Sequence, residues 1–448
     1  MTSPLYSHHF SIDNLPYGIA SSPTHPTPQC ATRLHNTIIF LSDLQSAGLF
    51  SSIPSLPPHI FSHSTLNPFA SLPRTTQTQV RHVLQSALQS NPTPLFSDSS
   101  TSDITTVTMH LPVSIPSFTA KDYSCSLPHN QHAGLAILNN PTPPPAFFHF
   151  PIGYSGRAST IIISGEPITR PVGHFYDRTS PSKEVIFGPT RALDYELELG
   201  VVIGRSLPPG KGLNAQDAEE HIFGLVVVND WSVYGLGSSG NEMKCNADDD
   251  DGDSCGIARD IQGLEMIPLG PLNGKNFATT ISPWIVTLDA LEPFKAQGPE
   301  PRVSLPSHLV DPGKASYDIS VLVEVGGGEE EGKKTVLGRS NAKELFWSVR
   351  QMCAHLASTG CDLRTGDVLG TGTVSGEGEG EYGCLLEVTK GGKVAAKLEG
   401  GGEKLYLEDG DVVTLSAWAG EGVGFGECMG QVRPAREGWS RGGDNPIE

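Results

Sequence analysis

Leu193-Asp194-Tyr195-Glu196-Leu197-Glu198-Leu199-Gly200-Val201-Val202 sets two carboxylates two residues apart on an otherwise apolar run, and Asn229-Asp230-Trp231 follows downstream. In a β-strand, residues i and i+2 project from the same face, so Glu196 and Glu198 would lie side by side. Carboxylates held that close repel, and burying them is costly unless a cation pairs them. A divalent metal is the simplest neutraliser, and an all-oxygen donor set favours Mg²⁺, Ca²⁺ or Mn²⁺ over zinc. A lone Glu-x-Glu is more often a solvated strand face, so the reading depends on the surrounding sequence.

Working outward, apolar or β-branched runs bounded by Gly or Pro predict strands at Ser159–Ser164, Leu197–Ile203, Gly224–Val228, Trp284–Leu288 and Ile319–Val325. Leu34–Leu49 and Thr76–Leu88 read as helices, as does Asn341–Ser358, with Leu345, Phe346, Val349, Met352 and Leu356 at helical spacing. Asp409-Gly410 lies between two apolar runs in Leu405–Val413, a hairpin signal. The Gly/Glu cluster at 326–332 reads as a hairpin tip. Residues 91–105 are Ser/Thr/Pro-rich and read as a linker or surface loop. The chain thus divides into a small N-terminal domain over 1–106, linker included, and a larger, β-rich domain over 107–448 that carries the chemistry.

The 448 residues allow two to three domains with sizeable cores. A net charge of −19 argues against nucleic acid and anionic membranes as partners. No apolar run approaches the roughly 20 residues of a membrane span. The first residues show no basic and apolar secretion signal. The eight cysteines are scattered without a Cys-x-x-Cys pair, which suits reduced thiols in a cytoplasmic protein and argues against a zinc site.

Several segments, in order, carry a resemblance: Asp13-Asn14-Leu15-Pro16-Tyr17-Gly18, Met109-His110-Leu111-Pro112, Gly153-Tyr154-Ser155-Gly156-Arg157-Ala158-Ser159, Asp194 to Glu198, and His221-Ile222-Phe223-Gly224. Asn229-Asp230-Trp231-Ser232, Ala258-Arg259-Asp260-Ile261-Gln262, Pro268-Leu269-Gly270-Pro271, Gly274-Lys275, Gly372-Thr373-Val374-Ser375-Gly376 and Gly424-Phe425-Gly426-Glu427-Cys428 continue it. Together they resemble the fumarylacetoacetase family over almost the full length. Asp122-Tyr123-Ser124-Cys125-Ser126 looks like its fungal branch.

The resemblance implies a mainly β (α+β) fold, with a small SH3-like barrel before a mixed β-roll catalytic domain, in a homodimer. It implies metal-dependent hydrolysis of the carbon–carbon bond of fumarylacetoacetate, a small β-diketo acid, with Mg²⁺ or Ca²⁺ as the cofactor. This is the last step of tyrosine and phenylalanine breakdown. Hydrolysis or decarboxylation of another β-keto acid, and an inactive binding homologue, are the alternatives.

Carried over residue by residue, the metal ligands fall on Asp122, Glu196, Glu198 and Asp230, with a second cation site at Asp230, Lys275 and Thr279. His129, seven residues after Asp122, is the implied general base, and Glu387, 14 after Thr373, orients it. His132 is a rival base, and a histidine in a loop such as Pro128-His129-Asn130 is by itself usually a surface residue. Arg259, Gln262 and Lys275 are the implied oxyanion donors, while Thr373 and Tyr123 would contact substrate.

Three departures stand out. The family arginine after the base has no counterpart in Leu135 to Asn140, and a family tyrosine falls on Met266. Val233 to Ile257 inserts 25 residues between Ser232 and Ala258, with six acidic residues against Lys244. That composition predicts disorder. The segment does not fit a calcium loop: with Gly252 sixth, Ala247 is first and Ala258 twelfth. A retained intron or a surface loop would each produce it, and the transcript sequence separates the two.

Overall fold

The computed structural model describes residues 4–90, 96, 99–116, 121–177, 184–233, 260–265, 270–327, 330–399 and 401–438, with residues 4, 5, 121, 122, 263 and 330–332 described by their backbone alone. The strand Leu197–Ile203 pairs antiparallel with Ile222–Asp230, and every residue of both strands is buried. They are the centre of a mostly antiparallel sheet whose path runs Gly153–Ser155, Lys121–Tyr123, Val368–Gly370, Leu197–Ile203, Ile222–Asp230, Thr279–Ile281 and Ile161–Ile163. Val286–Thr287 also pairs with Ile222–Asp230.

The largely apolar sequence of this pair follows from burial on both faces. Leu197, Leu199, Val201, Ile203, Leu225 and Val227 enter the main core. Val202, Val226 and Val228 face the other way, into a cluster shared with Leu15, Ile19, Phe61, Phe69 and Leu84 of the N-terminal region. Glu196 and Glu198 share this second face, by the period of two.

The N-terminal region forms a five-stranded antiparallel sheet in the order Thr101–Asp103, Thr37–Phe40, Gln29–Leu34, Tyr17–Ser21 and Thr108–His110. Its last strand lies beyond residue 106. Backbone hydrogen bonds between Tyr17 and Ile285 in both directions, at 3.0 and 2.8 Å, join it to the larger region. A second large sheet, ordered Glu330–Asn341, Ser320–Gly327, Val412–Ala419, Val423–Arg433 and Ile168–Thr169, closes the main core. The chain is therefore mainly β with helices at the margins, as expected. Among the described residues no helix is long and apolar enough to cross a membrane.

Several sequence expectations change. The helix expected at Leu34–Leu49 is a helix only over Leu41–Ser46, because β-branched Ile38 and Ile39 extend a strand that pairs with Gln29–Leu34. The helix expected at Asn341–Ser358 spans only Val349–Ala357. Asn341 ends a strand and accepts from Lys343 N, and Ser348 with Gln351 forms the capping box that starts the helix. Leu345 and Phe346 are buried in the connection instead. Asp409-Gly410 does form a turn, but it leads into Val412–Ala419 without a paired strand upstream. The helix Arg74–Gln89 contains the expected Thr76–Leu88, and Ser320–Gly327 pairs with Glu330–Asn341 around the Gly/Glu cluster.

The turn after Val368–Gly370 depends on Gly372. Its φ is +75°, and an added Cβ would sit 1.9 Å from the Tyr123 carbonyl oxygen, a backbone atom that cannot move away. Gly372→Ala is expected to destabilise the protein by at least about 2 kcal/mol, read as a lower urea midpoint. An unchanged midpoint would contradict this account of the turn.

Candidate active site

Asp230 follows Asn229, whose partner is Leu197, so it stands opposite Glu196 at the end of the central strand pair. Asp230 N donates to Glu196 O at 3.1 Å. Glu196, Glu198 and Asp230 consequently share one face, with carboxylate oxygens within 4.8 Å of one another and all three side chains buried. The neighbouring strand contributes Thr279, paired with Asp230, whose Oγ1 donates to Asp230 Oδ1 at 3.3 Å. Glu198, Asp230, Lys275, Thr279, Tyr154 and Arg157 are among the residues that line a cleft here.

Lys275 supplies the first neutralising charge. Its Nζ donates to Glu196 Oε2 at 2.5 Å and to Asp230 Oδ2. The loop carrying it is held by Glu265, whose carboxylate accepts from the backbone N–H groups of Leu272, Asn273 and Gly274 at 2.9–3.0 Å. Glu265 ends the short helix Ile261–Glu265, and Asp260 anchors the start of that helix to Thr190 and Arg191. Gln262, on the same helix, is buried against Gly274: a Cβ on Gly274 would lie 2.7 Å from Gln262 Cβ.

A second group of side chains gathers on Glu387, in the helical turn Leu385–Val388. His129 lies on the helix Leu127–Leu138, not in a loop. Ser126 caps that helix by accepting from His129 N at 3.2 Å, and Pro128 takes an early position where it costs no hydrogen bond. His132 falls three residues later on the same helix face. His132 Nδ1 lies 3.1 Å from Glu387 Oε1, and His129 Nδ1 lies 3.4 Å from Oε2. Ser375 Oγ and Gly383 N also donate to Oε2, at 2.8 and 3.1 Å. Burial opposes ionisation of Glu387, but the charge of His129 and the hydrogen bonds from His129, His132 and Ser375 outweigh it. They hold the carboxyl well below the usual range.

The two groups are physically coupled. Glu196 and Cys384 are bridge partners, and Leu197 N donates to Gly383 O at 2.9 Å. Asp194, two residues before Glu196, accepts from Leu385 N and Leu386 N, both at 2.8 Å. It therefore caps the turn that carries Glu387. Sequence reading missed this role, as it missed Glu265; each acts through backbone N–H groups far away in sequence and leaves no local spacing signal.

Of the expected residues, the structure brings together Glu196, Glu198, Asp230, Lys275 and Thr279, and separately His129 and Glu387. Thr373 is buried, and among the described residues its Oγ1 has no hydrogen-bond partner, as suits a hydroxyl kept for a ligand. Tyr123 is buried in the main core, and its hydroxyl donates to Met352 O at 3.2 Å. Arg259, Met266, the side chain of Asp122 and residues 234–257 of the insertion lie outside the described residues.

The carboxylate face fits a divalent cation. Three buried carboxylates gather around the Lys275 ammonium, and among the described residues Glu196 Oε1 accepts no hydrogen bond although it is buried. The donors are all oxygen, the set that hard cations select.

Residues 119–433 match the family model described as Fumarylacetoacetate (FAA) hydrolase C-terminal, and residues 13–112 match Fumarylacetoacetase N-terminal. The chain is 42% identical to the fumarylacetoacetase fahA of Aspergillus fumigatus, over 95% of this chain and 96% of that one. It is 38% identical to the fumarylacetoacetase of Arabidopsis thaliana and 35% to that of Rattus norvegicus, each over 95% of this chain and 96% of the other.

Removing the Asp194 carboxylate would leave three buried N–H groups, those of Tyr195, Leu385 and Leu386, without this acceptor. Asp194→Ala is expected to cost about 2–4 kcal/mol of stability and to lower turnover by displacing Glu387. Denaturant unfolding and kcat of the folded variant check both parts; wild-type values would contradict the coupling.

Proposed function

The chain belongs to the fumarylacetoacetate hydrolase family, and from that membership we infer that it is a carbon–carbon bond hydrolase that cleaves fumarylacetoacetate with water to fumarate and acetoacetate. One observation carries the reading: near-full-length likeness to fungal, plant and mammalian fumarylacetoacetases. The buried carboxylate group facing a cleft agrees with it.

We assign the roles as follows. Asp122, Glu196, Glu198 and Asp230 would hold a divalent cation, Mg²⁺ or Ca²⁺, which when bound polarises the substrate's β-diketone oxygens as a Lewis acid. Glu387 holds His129 by Nδ1, which leaves Nε2 to take a proton from water. The water oxygen then bonds to the carbonyl carbon. Gln262, Lys275 and Arg259 would donate to the oxyanion, an interaction whose loss typically costs about 10²–10³ in rate. As the carbon–carbon bond breaks, its electron pair leaves with the acetoacetate fragment as an enolate, and the His129 imidazolium returns the proton to that carbon. The buried Thr373 hydroxyl would bind a substrate oxygen. The same membership supports a homodimer, which sedimentation would measure.

The assay follows loss of fumarylacetoacetate with Mg²⁺ or Ca²⁺, then with excess chelator. Cleavage that the chelator abolishes is expected; no cleavage by folded, metal-loaded protein would overturn the reading. His129→Asn is expected to lower kcat by about 10²–10⁴ and His132→Asn by less. The reverse order would move the base to His132.

A further inference from the structure

His129, Cys384 and Glu387 bring an imidazole, a thiol and a carboxylate together with ligand atoms within 4.8 Å of one another. The donor set differs from the neighbouring carboxylate face in kind. Nitrogen and sulfur donors select Zn²⁺ and its relatives, whereas Mg²⁺ and Ca²⁺ select oxygen. The spacing also suits a small tetrahedral ion. Zinc bonds of about 2.0–2.3 Å place tetrahedral ligands about 3.3–3.8 Å apart. Cys384 Sγ lies 3.3 Å from Glu387 Oε2, and His129 Nδ1 lies 3.4 Å from the same oxygen.

The ligands are held in place before any ion arrives. Glu387 is fixed by Ser375 Oγ and Gly383 N, and Cys384 is fully buried at the head of the same turn. Hydrogen bonds of this type orient a ligand and raise its affinity for metal. His132 stands on the open side, 3.1 Å from the other Glu387 oxygen. It is the nearest candidate for a fourth ligand.

We propose that His129, Cys384 and Glu387, with His132 beside them, form a second cation site that takes a thiophilic divalent ion such as Zn²⁺. Binding releases the thiol proton that now faces Glu387 Oε2, and the ion occupies the space between Glu387 and the Nδ1 of His129. Resting on the functional assignment above, it follows that a filled site inhibits hydrolysis, because His129 loses its carboxylate partner. The scattered cysteines gave no hint of zinc: Cys384 and Glu387 are close in sequence, but both histidines come from a helix more than 250 residues earlier.

The test uses the full-length protein, stripped by chelator, saturated with Mg²⁺ and titrated with Co²⁺ as a spectroscopic stand-in for Zn²⁺. The expected result is a near-ultraviolet thiolate-to-cobalt charge-transfer band that saturates at one ion per chain and is displaced by Zn²⁺. Cys384→Ser should abolish the band and weaken Zn²⁺ inhibition at least about tenfold, each measured against the variant's own uninhibited rate. Absence of the band in the wild type, or an equal band in Cys384→Ser, overturns the proposal. If Cys384→Ser does not fold, His129→Asn takes its place: cobalt affinity reduced at least about tenfold supports the site, and unchanged affinity overturns it. The band is read without substrate, so a protein that binds cobalt but does not cleave fumarylacetoacetate refutes the functional assignment alone.

Discussion

Three carboxylates crowd one buried face of a strand pair, and much of the surrounding structure exists to keep them there. Glu196, Glu198 and Asp230 would each prefer water or a separate partner. They stay because their backbones are locked in or directly beside the ladder between Leu197–Ile203 and Ile222–Asp230, two fully buried strands of the central sheet. Apolar clusters on both sides, one reaching into the N-terminal region and one into the second large sheet, supply the burial energy that this arrangement draws on. The N-terminal sheet is therefore part of the site's foundation even though it contributes none of the carboxylates.

The acid–base side of the site is attached to this foundation by backbone groups. Glu196 bridges Cys384, and Asp194 caps the turn that carries Glu387. A displacement of the carboxylate strand would carry Glu387 with it, and with Glu387 the imidazoles that lean on it. Glu265 does the same for the loop that carries Lys275. Carboxylates recur in this protein as clamps on backbone N–H groups, which fixes loops that have no regular structure of their own.

Much of the carboxylate face was legible from spacing. Glu-x-Glu on an apolar run predicted a strand with two side chains on one face, and Asp230 joined it through the family pattern. The charge balance was read less well, because nothing local to Glu196 reveals that Lys275 donates to it across 79 residues of chain. The burial of Tyr123 was not legible either: one step along a strand reverses the face, and the family pattern does not say which of two neighbours turns inward. The helix expectations at Leu34–Leu49 and Asn341–Ser358 failed because apolar residues at helical spacing were also suited to a β-ladder in one case and a buried connection in the other.

Lys275 has a consequence for assembly. A site built only from carboxylates would resist closing until a cation arrived, as small metal-dependent domains do. Here a covalently attached ammonium sits between Glu196 and Asp230. The chain thus brings a positive charge of its own to the carboxylates, and part of the repulsion that would oppose bringing the two strands together is offset from within the polypeptide.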